Sequence, residues 1–363
     1  MKVLHVCETA RGGVGTYIDT LTSLERERIS TLILLPEEHA SIIDAATSRR
    51  TYRRRGRSIG ALINLVVAAV RIRFSYRPDI VICHSTFTLM VLLVLRSLSP
   101  GVKFIYCAHG WAGSREMDNA LNARLVRWIE GLLSGMAHRT ICVSVADMQY
   151  ALSNGYLGKF VLIENAVRPV QEPVETVTWT DGEDVGQNIH ILFVGRLDRQ
   201  KGLDLLLDAY SKARLKNLRL RLHVIGEAVV SNVKRQGADR SVEGVDFLGW
   251  VNAERIDGYY SAADLVAVPS RWEAFGLVVA EAYRNGTPAL VSDRGALPDL
   301  VVDGVTGFVV PLTSDSLAAA LIKLDKATLR AMRSSSLEHF QRRFDATRFG
   351  GEIAALYDEL KTT

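Results

Sequence analysis

The chain has 363 residues, 48% of them hydrophobic, with 44 Lys and Arg against 40 Asp and Glu for a net charge of +4. That length allows two domains of ordinary size, and that much apolar material fills two cores. Disordered and fibrous classes are excluded, and so small a net charge makes any basicity local.

Short apolar runs alternate with helical stretches along the whole chain. Strands are predicted at residues 3–7, 31–35, 80–83, 104–107, 141–145 and 161–163, and the rhythm restarts with 189–194, 220–225, 245–248, 265–268, 289–291 and 308–310. Repeated βαβ units imply a parallel sheet in each half. The expected architecture is α/β: an N-terminal domain over 1–168, a linker over 169–187, a C-terminal domain over 188–345 and a last helix over 346–363. Arg168-Pro169-Val170-Gln171-Glu172-Pro173 and Asp181-Gly182-Glu183-Asp184 carry the turn-rich character of the linker. Phe349, Ile353, Leu356 and Leu360 make one helical stripe in the last helix. A cleft between the two domains is the expected active site.

Met1-Lys2 leads straight into a strand, without the charged start and apolar core of a signal peptide, which predicts a cytoplasmic protein. Cys7, Cys83, Cys107 and Cys142 fall in apolar runs with no zinc or dithiol spacing, and read as buried thiols in a reducing compartment. After the first strand comes Arg11-Gly12-Gly13-Val14-Gly15-Thr16-Tyr17, which misses the G-x-G-x-x-G spacing of a dinucleotide site. It reads either as a plain strand-to-helix turn or as a glycine turn whose amides approach a phosphate.

Arg49-Arg50-Thr51-Tyr52-Arg53-Arg54-Arg55-Gly56-Arg57 precedes an apolar helix closed by Arg71, Arg73 and Arg77. Ile59, Leu62, Ile63, Val66, Val67 and Val70 are expected to share one face, in a run short of the ~20 residues that span a bilayer. Two readings stay open for Arg49 to Arg77. One is peripheral contact with anionic lipid, each basic residue adding roughly 1 kcal/mol near the surface. The other is a core helix beside a solvated basic loop. Nucleic acid is not expected, because a single tyrosine and no RNA or DNA motif accompany the patch.

His109, in Cys107-Ala108-His109-Gly110-Trp111, follows a predicted strand at the edge where α/β sheets place ligands. On the residues alone a structural and a functional role are equally open. No His, Cys or Asp cluster has metal-ligand spacing and no Asp-x-Asp occurs, so the expectation is metal-independent chemistry without a cofactor.

The second half opens on Phe193-Val194-Gly195-Arg196-Leu197-Asp198-Arg199-Gln200-Lys201-Gly202, between a strand and a helix on which Leu203, Leu206, Leu207 and Tyr210 keep helical spacing. Arg196 leaves the strand's C-terminal edge, and Lys201 sits ahead of a helix N-terminus that already favours an anion. A forked guanidinium and a mobile ammonium divide the work around phosphates, so a diphosphate site is predicted, with plain surface charge as the alternative. Downstream, Ser270-Arg271-Trp272-Glu273-Ala274-Phe275-Gly276-Leu277-Val278-Val279-Ala280-Glu281 sets two carboxylates eight positions apart. On one continuous helix they would be about 12 Å apart at ~1.5 Å per residue. A glycosidase pair needs roughly 5 to 9.5 Å. This spacing suits an elongated ligand with hydroxyls at both ends, such as a nucleotide sugar; solvated helix residues are the alternative.

Together these two segments resemble glycosyltransferase family 4, the retaining GT-B enzymes of the group 1 type, and the resemblance covers nearly the whole chain. Asn285-Gly286-Thr287-Pro288 and Asp303-Gly304-Val305-Thr306-Gly307 are similar to further family patterns. The resemblance implies two Rossmann-like domains facing a cleft and a last helix that crosses back to the first. It implies that Arg196 and Lys201 hold the donor diphosphate, Glu273 meets the transferred sugar and Glu281 the ribose. Phe275, Gly276 and Leu277 would supply backbone amides, Gly12, Gly13 and Gly15 would close over the diphosphate, and His109 would lie beside the reacting hexose. Glu164-Asn165-Ala166-Val167 is similar to a family segment that usually carries glycine at the third position; Ala166 departs from it. The implied partners are a nucleoside-diphosphate sugar, with uridine the commoner base, and a glycan or polyprenol-diphosphate-linked acceptor of bacterial surface polysaccharide. A non-hydrolysing nucleotide-sugar epimerase and a catalytically silent partner of a polysaccharide synthase stay open as alternatives.

Overall fold

The computed structural model describes residues 1–362 apart from 26–28, 55, 115–119, 171–173, 176, 180–185 and 228–241. Arg55 of the arginine run, and Gln171, Glu172, Pro173 and Asp181 to Asp184 of the expected linker, lie outside the described residues. The chain forms two units, Met1–Val167 with Ala346–Thr363, and Arg168–Asp345.

In the first unit, β1 (Lys2–Cys7), β2 (Ser30–Pro36), β3 (Arg49–Tyr52), β4 (Ile80–His84), β5 (Lys103–Cys107), β6 (Arg139–Cys142) and β7 (Phe160–Leu162) form a sheet in the order β3-β2-β1-β4-β5-β6-β7. Every pairing is parallel. Runs such as Ile80–His84 are buried along their whole length, as a sheet covered on both faces requires. Helices α1 (Gly13–Glu25), α2 (Ile59–Tyr76), α3 (Leu89–Leu98), α4 (Ala120–Ser134) and α5 (Val145–Ser153) connect the strands. Leu4, Val6, Val81, Cys83, Phe104 and Tyr106 on one sheet face pack with Leu65, Ala69 and Ile72 of α2 and with Leu92 and Leu95 of α3. The two-residue period sends His5, His84 and Cys107 to the other face.

The second unit holds β8 (Ile189–Val194), β9 (Leu220–Ile225), β10 (Val245–Gly249), β11 (Leu265–Val268), β12 (Ala289–Ser292) and β13 (Gly307–Val310), in the order β10-β9-β8-β11-β12-β13 and again all parallel. Its helices are α6 (Leu203–Arg214), α7 (Ala253–Ala262), α8 (Leu277–Arg284), α9 (Leu297–Leu300), α10 (Ser314–Ile322) and α11 (Lys326–Arg343). The described part of 169–187 adheres to this unit: Trp179 stacks on His223 with ring centroids 3.7 Å apart, and Glu175 pairs with Arg255 at 2.6 Å.

The last helix, α12 (Ala346–Thr362), buries Ala346, Phe349, Ile353, Leu356, Tyr357 and Leu360, the expected stripe with two additions. It packs on the first unit. Phe349 meets Tyr17 edge-on at 5.2 Å, Tyr357 Oη donates to Glu25, and Arg348 Nη2 donates to Glu164 O at 2.7 Å.

Three expectations change. The strand predicted at 141–145 ends at Cys142, because the Ser144 side chain accepts from Asp147 N and starts α5. The arginine run contains an unpredicted strand, β3, which pairs with β2 at the sheet edge. Helix α2 runs 18 residues and, by length and composition alone, is long and apolar enough to cross a membrane. It is seated in the domain instead, turned so that Leu65, Ala69 and Ile72 point inward while Ile59, Ile63 and Val67 of the expected face are exposed.

The packing of α12 is testable. Phe349→Ala removes a fully buried ring and is expected to cost the first unit about 3–5 kcal/mol, read as a lower urea midpoint. An unchanged midpoint would show that α12 adds nothing to that core.

Candidate functional site

In the second unit β8 pairs with β11 and β11 with β12, so the loops that follow these strands emerge side by side at one sheet edge. The loop after β8 turns through Arg199–Lys201, where the Asp198 side chain accepts from Lys201 N at 3.2 Å. Gly202 then starts α6 with φ 71°, and a Cβ there would stand 2.0 Å from Pro269 O. Only glycine permits both the left-handed backbone and that approach to the loop after β11. The two loops are also tied by side chains. Arg271 makes a forked pair with Asp204 at 2.8 and 2.7 Å, Gln200 Nε2 donates to Trp272 O at 3.1 Å, and Arg271 N donates to Gln200 O at 2.8 Å. These ties carry Lys201 Nζ to 2.6 Å from Glu273 Oε1, which also accepts from Ser270 Oγ at 2.9 Å.

The loop after β12 closes the far side. Ala296 N donates to Glu273 O at 3.1 Å, and Gly295, with φ 58°, lies so close that a Cβ would reach 2.4 Å from the same oxygen. Helix α8 begins at Leu277 behind Gly276, whose φ is 108°. Glu273 therefore sits in the loop and Glu281 one turn inside the helix, so the two acids do not share one helix. Glu281 Oε2 accepts from the buried Tyr260 hydroxyl at 2.7 Å, and burial together with that carboxylate pushes the Tyr260 pKa up. Phe275 is buried against Phe344 at 5.8 Å, which leaves its backbone, not its ring, for a ligand. Arg196 lies on the same loop with its guanidinium on Asp198 at 3.0 Å and Gln200 at 2.5 Å.

Among the predicted residues, then, Lys201 and Glu273 meet, Arg196 lies on the Lys201 loop, Gly276 and Leu277 start α8 behind Glu273 with Glu281 inside that helix, and the sequence reading missed Ser270, Asp204, Gly295 and Tyr260. Asp204 and Arg271 were findable only as a pair, because neither alone has a distinctive neighbourhood.

In the first unit Gly12 adopts φ 61° just before α1, and Gly12 and Gly13 are exposed. Gly15 is buried, since a Cβ there would stand 2.0 Å from Ala10 O. Glu8, at the end of β1, is gripped by Arg57 at 3.0 and 3.1 Å and by Arg54 at 3.1 Å. Arg49 donates to Ala40 O and Ile43 O, both at 2.9 Å. Part of the arginine run is thus committed to holding the fold, while Arg50, Arg53, Arg71 and Arg77 are exposed.

His109 takes φ 52° two residues past β5 and is half-buried. Its Nε2 lies 2.9 Å from His84 Nδ1, His84 Nε2 lies 3.0 Å from His5 Nδ1, and His5 Nε2 lies 3.1 Å from Glu25 Oε2. Burial pushes the His109 pKa down to about 3, and burial with the adjoining imidazoles drives His84 well below its usual range. Burial alone would raise the Glu25 pKa, but His5, Thr31 and Tyr357 outweigh it and hold the carboxyl below the usual value. Ligand atoms of His84, Cys107 and His109 lie within 4.8 Å of one another, a grouping that sequence spacing did not reveal. The facing nitrogens of His84 and His109 are engaged with each other, and Cys107 Sγ approaches the opposite nitrogen of His109 at 3.8 Å.

Residues 11–171 match the family described as Glycosyltransferase Family 4, and residues 181–335 match Glycosyl transferases group 1. An uncharacterized 41.2 kDa protein in the cps region of Klebsiella pneumoniae is 30% identical over 85% of this chain and 86% of its own length. Among solved structures, sucrose-phosphate synthase from Thermosynechococcus elongatus superposes with a TM-score of 0.81 at 21% identity, covering 99% of both chains. Anabaena HepE in complex with UDP-glucose gives 0.76 at 21% identity, covering 99% of this chain and 100% of its own. Two parallel Rossmann-like units with these relatives make the fold GT-B, and the chain belongs to the group 1, family 4 glycosyltransferases.

Proposed function

We propose that this enzyme moves a hexose from a nucleoside-diphosphate sugar, UDP favoured, to a glycan or lipid-linked acceptor of bacterial surface polysaccharide, with retention at the anomeric carbon. The observation that carries the reading is the shielded Lys201–Glu273 contact at 2.6 Å, built at a sheet edge from two loops that glycines allow to touch. An ammonium poised beside a helix start meets the charge that grows on a departing diphosphate. Arg196 adds a second cation on the same loop. Glu273, once Lys201 turns to phosphate, accepts from a sugar hydroxyl; Glu281 does the same for the ribose. Amides of Phe275, Gly276 and Leu277 line the α8 start, Gly12, Gly13 and Gly15 close over the diphosphate, and His109 meets the transferred sugar. The bond from the anomeric carbon to diphosphate oxygen breaks, the bond to the acceptor oxygen forms on the same face, and the acceptor proton leaves with the diphosphate. In this proposal the chemistry is metal-independent, with the Lys201 and Arg196 side chains as the cations. The structural relative solved with UDP-glucose and the relative in a cps region support the donor and the setting.

We further infer a cytoplasmic enzyme that docks on the inner face of an anionic membrane. Helices α2 and α3 pack together, as do α3 and α4. On α4, Leu121, Leu125, Trp128, Ile129 and Leu132 recur at helical spacing and are exposed, Leu121 by 74% and Trp128 by 66%. On α2, Ile59, Ile63, Val67 and Phe74 do the same, with Arg71 exposed on that helix and Arg77 exposed just past its end. Apolar rows with flanking arginines suit the headgroup boundary, where basic residues add roughly 1 kcal/mol each.

Lys201→Ala loses a charge-assisted contact of about 1.5 to 3 kcal/mol and is expected to lower turnover about tenfold to a hundredfold. An unchanged rate at both limiting and saturating donor refutes its role. In a thermal-shift panel of UDP, GDP and ADP, UDP is expected to raise the melting point most, equally with and without chelator; a shift that chelator abolishes would make the site metal-dependent. Donor incubated without acceptor should give no epimer. Leu125→Glu with Trp128→Glu is expected to cut sedimentation with phosphatidylglycerol vesicles at least about tenfold, because several kcal/mol of apolar insertion is lost; equal sedimentation would remove α4 from the docking face.

A further inference from the structure

Three imidazoles in line have two possible proton orders, and the groups at the ends decide between them. Glu25 is ionised, buried, and able only to accept: it takes Thr31 Oγ1–H at 2.7 Å and Tyr357 Oη–H. His5 must therefore donate to it from Nε2, at 3.1 Å. A neutral His5 then has a bare Nδ1, which accepts Nε2–H of His84 at 3.0 Å. His84 in turn has a bare Nδ1, which accepts Nε2–H of His109 at 2.9 Å. The order runs from His109 back to Glu25, and it ends with an unprotonated Nδ1 on His109. The only partner the described residues give that atom is the Cys107 sulfur at 3.8 Å, a weak thiol donor that a hydroxyl outcompetes. Tyr17, edge-on to His109 at 4.5 Å, and Phe349 beyond it enclose the line from α1 and α12.

We propose that His84 is a positioning residue: with His5 and Glu25 it holds His109 as the neutral tautomer protonated at Nε2, reserving Nδ1 as the acceptor for a hydroxyl of the transferred sugar. The proposal rests on the reading of His109 as a sugar contact, but the tautomer it demands does not. Left-handed backbone at His109 costs strain, and the bond to His84 is what points the ring inward against it.

The test combines spectroscopy with kinetics. Long-range proton–nitrogen correlation on the full chain labelled at histidine nitrogens is expected to show His5, His84 and His109 all protonated at Nε2 alone at neutral pH. A doubly protonated His5 with His84 and His109 protonated at Nδ1 is the opposite order and overturns the proposal, whatever the activity. With UDP-glucose as probe donor, His84→Phe keeps the volume but breaks the line, and is expected to lower kcat at least about tenfold while KM for UDP-glucose moves far less. His84→Gln can still accept from His109 and donate to His5, and is expected to restore most of the loss. Equal kcat in wild type and His84→Phe, or equal loss in the Phe and Gln variants, defeats the positioning role. Wild-type protein that shows the expected tautomers yet neither binds nor turns over a nucleotide sugar would instead strike the transferase reading beneath it.

Discussion

One ammonium–carboxylate contact organises the edge of the second sheet. Lys201 and Glu273 lie 72 residues apart in the chain and 2.6 Å apart in space. Gly202 and Gly295 bring the backbones within reach, and the Arg271–Asp204 fork and the Gln200–Trp272 bond hold them there. Side chains at 18% and 10% exposure would each be costly to leave uncompensated. In the proposed reaction the diphosphate therefore competes with Glu273 for Lys201, and the exchange itself frees the carboxylate for the sugar. One binding event would arm two groups, which neither charge could do from an isolated surface position.

Much of this was readable from the residues. Strands 189–194, 220–225 and 265–268 fall where the apolar runs put them, because in a strand covered on both faces the apolar residues dominate even where His190, Arg221 and His223 interrupt them. The edge strand β3 was not readable: Arg49, Arg50 and Thr51 face outward or sideways and only Tyr52 is buried, so the segment carries neither alternation nor an apolar run. Helix α2 misled for the opposite reason. Nearly every position is apolar, so composition could not say which row turns inward, and Leu65, Ala69 and Ile72 won by fitting α3 and the sheet.

The arginine segment shows how local charge is divided by geometry. Glu8 is buried at the end of β1, and a buried carboxylate persists only when paired and hydrogen-bonded. Arg54 and Arg57 supply that pairing from the loop beyond β3, so they anchor the loop across the sheet edge. The basicity that the sequence displays as one block is thus split, a structural half turned to Glu8 and to the Ala40 and Ile43 carbonyls, and an outward half that stays exposed. Counting arginines overstates the charge that the proposed docking could use, since only the exposed ones could take part in it.

The histidine line was hidden because its members are single residues in three separate strands or loops, joined only by register: His5 of β1, His84 closing β4, and His109 past β5. The second unit holds a matching pair, His190 Nδ1 to His223 Nε2 at 3.0 Å, the same two atoms as His5 Nδ1 and His84 Nε2. Yet the carboxylate stands at the other end, with Asp246 3.1 Å from His223 Nδ1. A pair of imidazoles has no polarity of its own. In the proposed order Glu25, accepting from His5 Nε2, gives the line its direction and leaves the acceptor at His109. The two pairs join different neighbours, β1 with β4 in the first unit and β8 with β9 in the second, so in the proposed line it is the acid at its end and not the pair that determines what is presented.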